Sequence, residues 1–228
     1  MKNIVIIVAG GKGSRMGGPK QFIRIAGKPM LAWTLKAFQN SKLIDGIILI
    51  VSKEQLAEAK RLNKKKLIAI AQSGKERQDS VTNGLKYVPG SAEIILIHDG
   101  ARPAVSQKII ADSINEAKRT GAVVVAVPVK DTIKRGQRVA GSRGKESWIV
   151  NETLERDLLW SVQTPQVFKS AIIKEAYAKL KENVTDDGMA VEKMGIQVKI
   201  VLGDYENIKV TTPEDLVIMG SILKKKGK

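Results

Sequence analysis

The stretch Ile4-Val5-Ile6-Ile7-Val8-Ala9-Gly10-Gly11-Lys12-Gly13-Ser14-Arg15-Met16-Gly17-Gly18-Pro19-Lys20 decides how this chain is read. Its first third is a continuous apolar, β-branched run of strand length. It lacks the alternation of a half-exposed strand, so it predicts a strand covered on both faces. The remainder is rich in glycine, which lets the backbone turn sharply and bring N–H groups against an anion. A strand ending in such a turn points to phosphate binding by Ala9, Gly10, Gly11 and Gly13. Two common fingerprints are excluded: a dinucleotide loop would need glycine where Met16 stands, and no Gly-Lys-Ser/Thr closes a Walker loop. A merely tight connection would not call for Arg15 and Lys20, two cations suited to bracketing a triphosphate and stabilising charge during phosphoryl transfer.

Outward from this stretch the same rhythm continues. Apolar runs at residues 46–51, 67–71, 94–98, 122–127 and 198–202 alternate with segments of helical period at 30–39, 53–62, 77–87, 106–119, 169–182, 187–194 and 213–224. This is the pattern of crossover units in a mainly parallel sheet, a single Rossmann-like α/β layered domain. The last helix has Pro213 at its first position and a Thr212-to-Asp215 start, a cap signature. One segment breaks the rhythm. Residues 129–153 read as two short strands, 129–135 and 148–150, around a glycine-containing polar stretch. A lone two-stranded ribbon is marginal in water, so this protruding β-arm is expected to pack on a second copy in a homodimer.

Composition bounds the chemistry. The 228 residues suit one large domain, and no apolar run approaches a membrane span. The start lacks a secretory leader pattern, which gives the expectation of a cytoplasmic protein without membrane partners. Without cysteine and with the single His98, thiolate nucleophiles and zinc clusters are out of reach. The net charge of +16 raises nucleic acid as a partner. Lysines scattered over helix positions and only 4% aromatic residues instead predict a solvated surface with no nucleic-acid partner, which draws anionic substrates.

Asp99 stands just past the predicted strand 94–98, at the carboxyl edge where open α/β sheets take ligands. Either it caps the turn, or it holds a magnesium ion that phosphate oxygens complete. Arg102, on the same edge, is either an ordinary ion-pair partner or a bidentate anion contact. His98 reads as a packed, hydrogen-bonded side chain without a chemical role.

The loop at 10–20 resembles that of sugar-nucleotide pyrophosphorylase-like nucleotidyltransferases. Five further stretches resemble, in order, the 2-C-methyl-D-erythritol 4-phosphate cytidylyltransferase family within that group. They are Ser-Gly-Lys-Glu-Arg-Gln-Asp-Ser-Val at 73–81, Ile-His-Asp-Gly-Ala-Arg-Pro at 97–103, Val-Lys-Asp-Thr-Ile-Lys at 129–134, Gln-Thr-Pro-Gln at 163–166, and Asn-Ile-Lys-Val-Thr-Thr-Pro-Glu-Asp at 207–215. The resemblance implies transfer of CMP from CTP to a phosphorylated sugar alcohol in isoprenoid precursor synthesis. It further implies magnesium on Asp99 and a catalytic set of Arg15, Lys20 and Lys209. Gly74, Arg77, Ser80 and Gly100 would join the nucleotide contacts, while Asp99, Arg102, Thr132, Arg156, Thr164 and Lys209 would meet the phosphosugar. Asp186 and Asp187 read as a helix start, and by resemblance also as part of the sugar site. Lys75 and Thr212 depart from the family pattern. The rivals are a ribitol-5-phosphate cytidylyltransferase and, from another class, a non-catalytic nucleotide- or nucleic-acid-binding protein.

Overall fold

A computed structural model describes residues 1–11, 13, 16–62, 65–140 and 146–226. The chain opens on β1 (Asn3–Val8), followed by a small hairpin of β2 (Arg24–Ile25) and β3 (Lys28–Pro29) and by α1 (Met30–Asn40). Next come β4 (Gly46–Val51), α2 (Leu56–Ala59), β5 (Leu67–Gln72), α3 (Arg77–Leu85), β6 (Ile94–Asp99), α4 (Gln107–Thr120) and β7 (Ala122–Pro128). A second hairpin, β8 (Lys134–Ala140) with β9 (Glu146–Thr153), precedes β10 (Trp160–Lys169), α5 (Ser170–Lys179), α6 (Asp187–Glu192), β11 (Lys199–Leu202) and α7 (Pro213–Lys226).

Seven strands form one sheet in the order β11-β7-β10-β6-β1-β4-β5, parallel except for β10, which runs against both its neighbours. Ile4, Val5, Ile6 and Ile7 have no solvent exposure, because helices cover the sheet on both sides and each strand's alternate residues feed two separate apolar cores. Each such side chain contributes roughly 1.5–3 kcal/mol on burial. After β1 the chain builds outward through β4 and β5, then returns to place β6 on the other flank of β1. Ligands of open α/β sheets bind at such a reversal. Here the register sets Val8, the last residue of β1, opposite Asp99, the last residue of β6.

The mainly parallel layered fold agrees with the sequence reading, and α7 starts as its cap signature implies: the Asp215 carboxylate accepts from the N–H groups of Thr211 and Thr212. Three local expectations need correction. The helix expected at 53–62 is a 3-10 turn followed by the single turn of α2. The second arm strand is longer than expected, and the first keeps its length but begins only at Lys134, because Val129 is still tied to the domain by donating to the Leu159 carbonyl. Strand β10 was not anticipated at all. Proline in a central strand normally argues against the strand, since it lacks the ladder N–H. Pro165 sits inside the register shift between Gln163 and Gln166, where the ladder is interrupted.

Candidate active site

A cavity of about 330 Å³ opens at the carboxyl ends of β1 and β6. The turn after β1 forms one wall through Ala9, Gly10, Gly11 and Gly13, and Lys20 projects into it from the following 3-10 turn. Gly13 has φ +64°, and a Cβ there would lie 2.0 Å from the Gly18 carbonyl oxygen, so only glycine closes this turn. A Cβ on Gly10 would collide with Ser73 at 2.2 Å, which is how the loop after β1 nests against the loop after β5. That second loop supplies Gly74 to the cavity, and the first turn of α3 supplies Arg77 and Ser80. The Gly74 N–H donates to Ser80 Oγ at 3.0 Å, and Ser80 donates in turn to the Glu76 carbonyl, which fixes the start of α3. Asp99 and Lys209 close the far side. The two halves of the sequence prediction, a glycine cradle and an acidic strand tip, thus line one space.

Asp99 is only 7% exposed yet holds three cations. Lys209 Nζ lies 2.9 Å from Oδ2, Arg77 Nε 3.3 Å from Oδ1 and Arg102 Nε 3.7 Å from Oδ2. Burial alone would raise its pKa, but Arg77, then Lys209 and Arg102, outweigh that and hold it well below the carboxylate range. Among the described residues no group of three or more acidic or histidine side chains could hold a metal alone. A single ionised carboxylate beside a phosphate-sized cavity nevertheless fits the habit of magnesium, which takes one or two carboxylates plus substrate phosphates. Lys20 Nζ donates to the Val210 carbonyl at 2.5 Å, so the N-terminal loop and the Lys209 loop are latched together.

The other predicted residues are placed differently. Arg15 lies outside the described residues. Gly100 does not line the cavity; its N–H donates to the Val8 carbonyl and a Cβ would press on Ala9 at 2.8 Å, so it sets the packing of the cradle. Arg102 is turned inward, donating to the Asn207 carbonyl at 2.7 Å, rather than presenting a free fork. Thr164 is buried, and its hydroxyl serves the β6 end. Thr132 and Arg156 are exposed on the arm and its base, outside the cavity, with Arg156 Nη1 on the Lys130 carbonyl at 3.2 Å.

Sequence reasoning missed the side chains that hold these loops in place. Gln163 donates to the Asp204 carbonyl and accepts from Asn207, while Gln166 donates to Asp186 and accepts from the Gly188 N–H. Their signal was the polar pair flanking Pro165, which makes sense only once β10 is central. Between them, Thr164 Oγ accepts the Asp99 N–H and sits 3.0 Å from His98 Nδ1. His98 Nε2 must donate to the Arg102 carbonyl at 3.1 Å, so Nδ1 is bare and accepts the threonine hydroxyl. His98 is therefore a neutral structural link, as the sequence reading had it.

Burial lowers the His98 pKa from 6.5 to about 4, with the Arg102 carbonyl and Asp99 opposing. The unfolded histidine takes up a proton near pH 6.5 and the folded one does not until about pH 4. Stability therefore falls as pH drops through that window, by about 3 kcal/mol in all. Urea unfolding of the metal-free protein at pH 7.5, 6 and 5 should show it, and His98→Gln should flatten the slope.

With this geometry in hand, the relatives are informative. The sequence profile of the IspD family, 2-C-methyl-D-erythritol 4-phosphate cytidylyltransferase, matches residues 3–225. A protein of that name from Alkaliphilus metalliredigens is 48% identical over 232 residues, covering 97% of this chain and 93% of the relative. One from Clostridioides difficile is 48% identical over 228 residues, with 96% and 92% covered. Among solved structures, the 4-diphosphocytidyl-2C-methyl-D-erythritol synthase of Anaerococcus prevotii superposes with a TM-score of 0.83 at 31% identity, covering 98% of this chain and 96% of that one. A match over nearly the whole length, on a chain whose glycine cradle and acidic strand tip share one cavity, places this protein in the 2-C-methyl-D-erythritol 4-phosphate cytidylyltransferase family.

Proposed function

We propose that the cavity between β1 and β6 is where this chain carries out its family's reaction. It transfers CMP from CTP to 2-C-methyl-D-erythritol 4-phosphate, releasing pyrophosphate, in the non-mevalonate route to isoprenoids. The observation that carries the site assignment is the Val8–Asp99 register, which sets the anion cradle beside a carboxylate and its cations. A phosphate monoester already bears about −1.5 to −2 charge near neutral pH, so it can attack the α-phosphorus without a general base. The protein's task is alignment and charge neutralisation. The backbone N–H groups of Gly10, Gly11 and Gly13, together with Lys20, hold the triphosphate, while the Ala9 N–H is taken by the Ile50 carbonyl. Lys209 faces the transferring phosphoryl group, and Gly74, Arg77 and Ser80 bound the base side. Arg15 belongs to the same proposed set. Asp99 would hold magnesium, which when bound neutralises phosphate charge and makes pyrophosphate a better leaving group.

The arm completes the proposal. Trp148, Ile149 and Val150 are 66%, 49% and 64% exposed on the ribbon of β8 and β9. In a homodimer this ribbon would bury those residues against a second copy and bring Thr132 and Arg156 toward a phosphosugar. Arg156→Ala is then expected to raise KM for the phosphosugar about 10- to 100-fold, as loss of a charged hydrogen bond does, with kcat within a few-fold. Steady-state kinetics with each substrate varied will show it, and a matching rise in KM for CTP would contradict it. A cytoplasmic setting is part of the same reading. Incubation with CTP, magnesium and either methylerythritol phosphate or ribitol 5-phosphate, following pyrophosphate, tests the whole. Turnover confined to ribitol phosphate, or binding without pyrophosphate release, would overturn it.

A further inference from the structure

Behind Arg77 lies a carboxylate to which the reaction above gives no part. Asp187, the first residue of α6, has no solvent exposure and does not line the cavity. Arg77 grips it with both terminal nitrogens, Nη1 to Oδ1 at 3.0 Å and Nη2 to Oδ2 at 2.8 Å, and Tyr177 donates to Oδ1 at 2.6 Å. The remaining nitrogen, Nε, reaches Asp99. Arg77 therefore presents one edge to the site while its charge is answered from behind.

The balance of charge around the cavity depends on that arrangement. Arg77, Arg102 and Lys209 face Asp99, Lys20 lines the same cavity, and Lys75 with Glu76 offset each other at the exposed rim. Asp187 is the second carboxylate of the buried cluster. Metal-free CTP differs from its magnesium complex by the metal's two positive charges. An added positive charge at Arg77 attracts the bare nucleotide more than the complex and repels the ion from Asp99.

We infer that Asp187 is a charge-balancing residue of the nucleotide site, which sets its preference for metal-bound over metal-free triphosphate; this rests on the reading that the cavity takes a magnesium–CTP complex. The test is calorimetric titration with CTP, in magnesium and in EDTA, of the parent chain, Asp187→Asn and Tyr177→Phe, with folding checked by circular dichroism. Asp187→Asn should shrink the ratio of the two affinities about 10-fold, the scale of one charge within a few ångströms. Tyr177→Phe keeps the charge and should keep the ratio. Equal weakening in both conditions, or an unchanged ratio in Asp187→Asn, would overturn the inference in favour of a purely structural pair. Should Asp187→Asn not fold, Asp187→Ser carries the test, since it also removes the charge while leaving Arg77 and room for a water beside it. Its ratio should fall by a similar factor, and an unchanged ratio would overturn the charge argument. Absence of any CTP binding by the parent would instead overturn the proposed function, and this inference with it.

Discussion

Asp99→Asn is expected to lower kcat/KM by roughly 1,000-fold or more, the several kcal/mol that a metal supplies to a developing phosphate charge. The substitution keeps the shape and the backbone N–H that donates to Thr164, so the fold should survive. What it removes is the single anion that Arg77, Lys209 and Arg102 share. Loss of activity should therefore come with a lost dependence on magnesium concentration and with tighter binding of CTP in EDTA. Retention of the magnesium dependence at near-parent rates would remove Asp99 from the chemistry and leave it a cap for the turn.

The second large effect is expected at Lys20. Lys20→Ala should reduce kcat by about 100- to 1,000-fold, the usual loss when one preorganised donor to a developing charge is removed. Its KM values should move much less, because the backbone cradle at Gly10, Gly11 and Gly13 remains to hold phosphate. Single-turnover measurement of pyrophosphate formation separates the two terms. A Lys20→Ala enzyme with unchanged turnover would reduce that side chain to its latch on the Val210 carbonyl.

What could be read in advance followed from how local each signal was. The parallel strands announced themselves by continuous apolar runs such as 46–51, because strands buried on both faces tolerate little else. Gly10, Gly11, Gly13 and Asp99 could be placed because each lies within a few residues of a strand end, and strand ends of one sheet share an edge; Lys20 came with the glycine-rich stretch that carries it. Arg77 and Ser80 came only through resemblance, since composition gives the start of α3 no chemical mark. The parts that stayed hidden depend on long-range partners. Asp187 finds Arg77 across 110 positions, and Gln163 and Gln166 act only because β10 runs through the middle of the sheet. That strand was masked by its own Pro165, whose cost vanishes at a ladder interruption that no local pattern shows. For Arg102 the ion pair could be read in advance, but its inward turn toward Asn207 depends on a loop over 100 residues downstream.

The latch between Lys20 and Val210 spans 190 positions, and the Val210 N–H is itself fastened to the Ala101 carbonyl. Chains are made from the amino end, so the glycine turn emerges from the ribosome long before its last fastening exists. A nascent or carboxy-terminally clipped polypeptide would own most of the sheet and still lack a finished nucleotide seat. The nucleotide seat is in this sense finished only once a segment 190 positions downstream of Lys20 has been made.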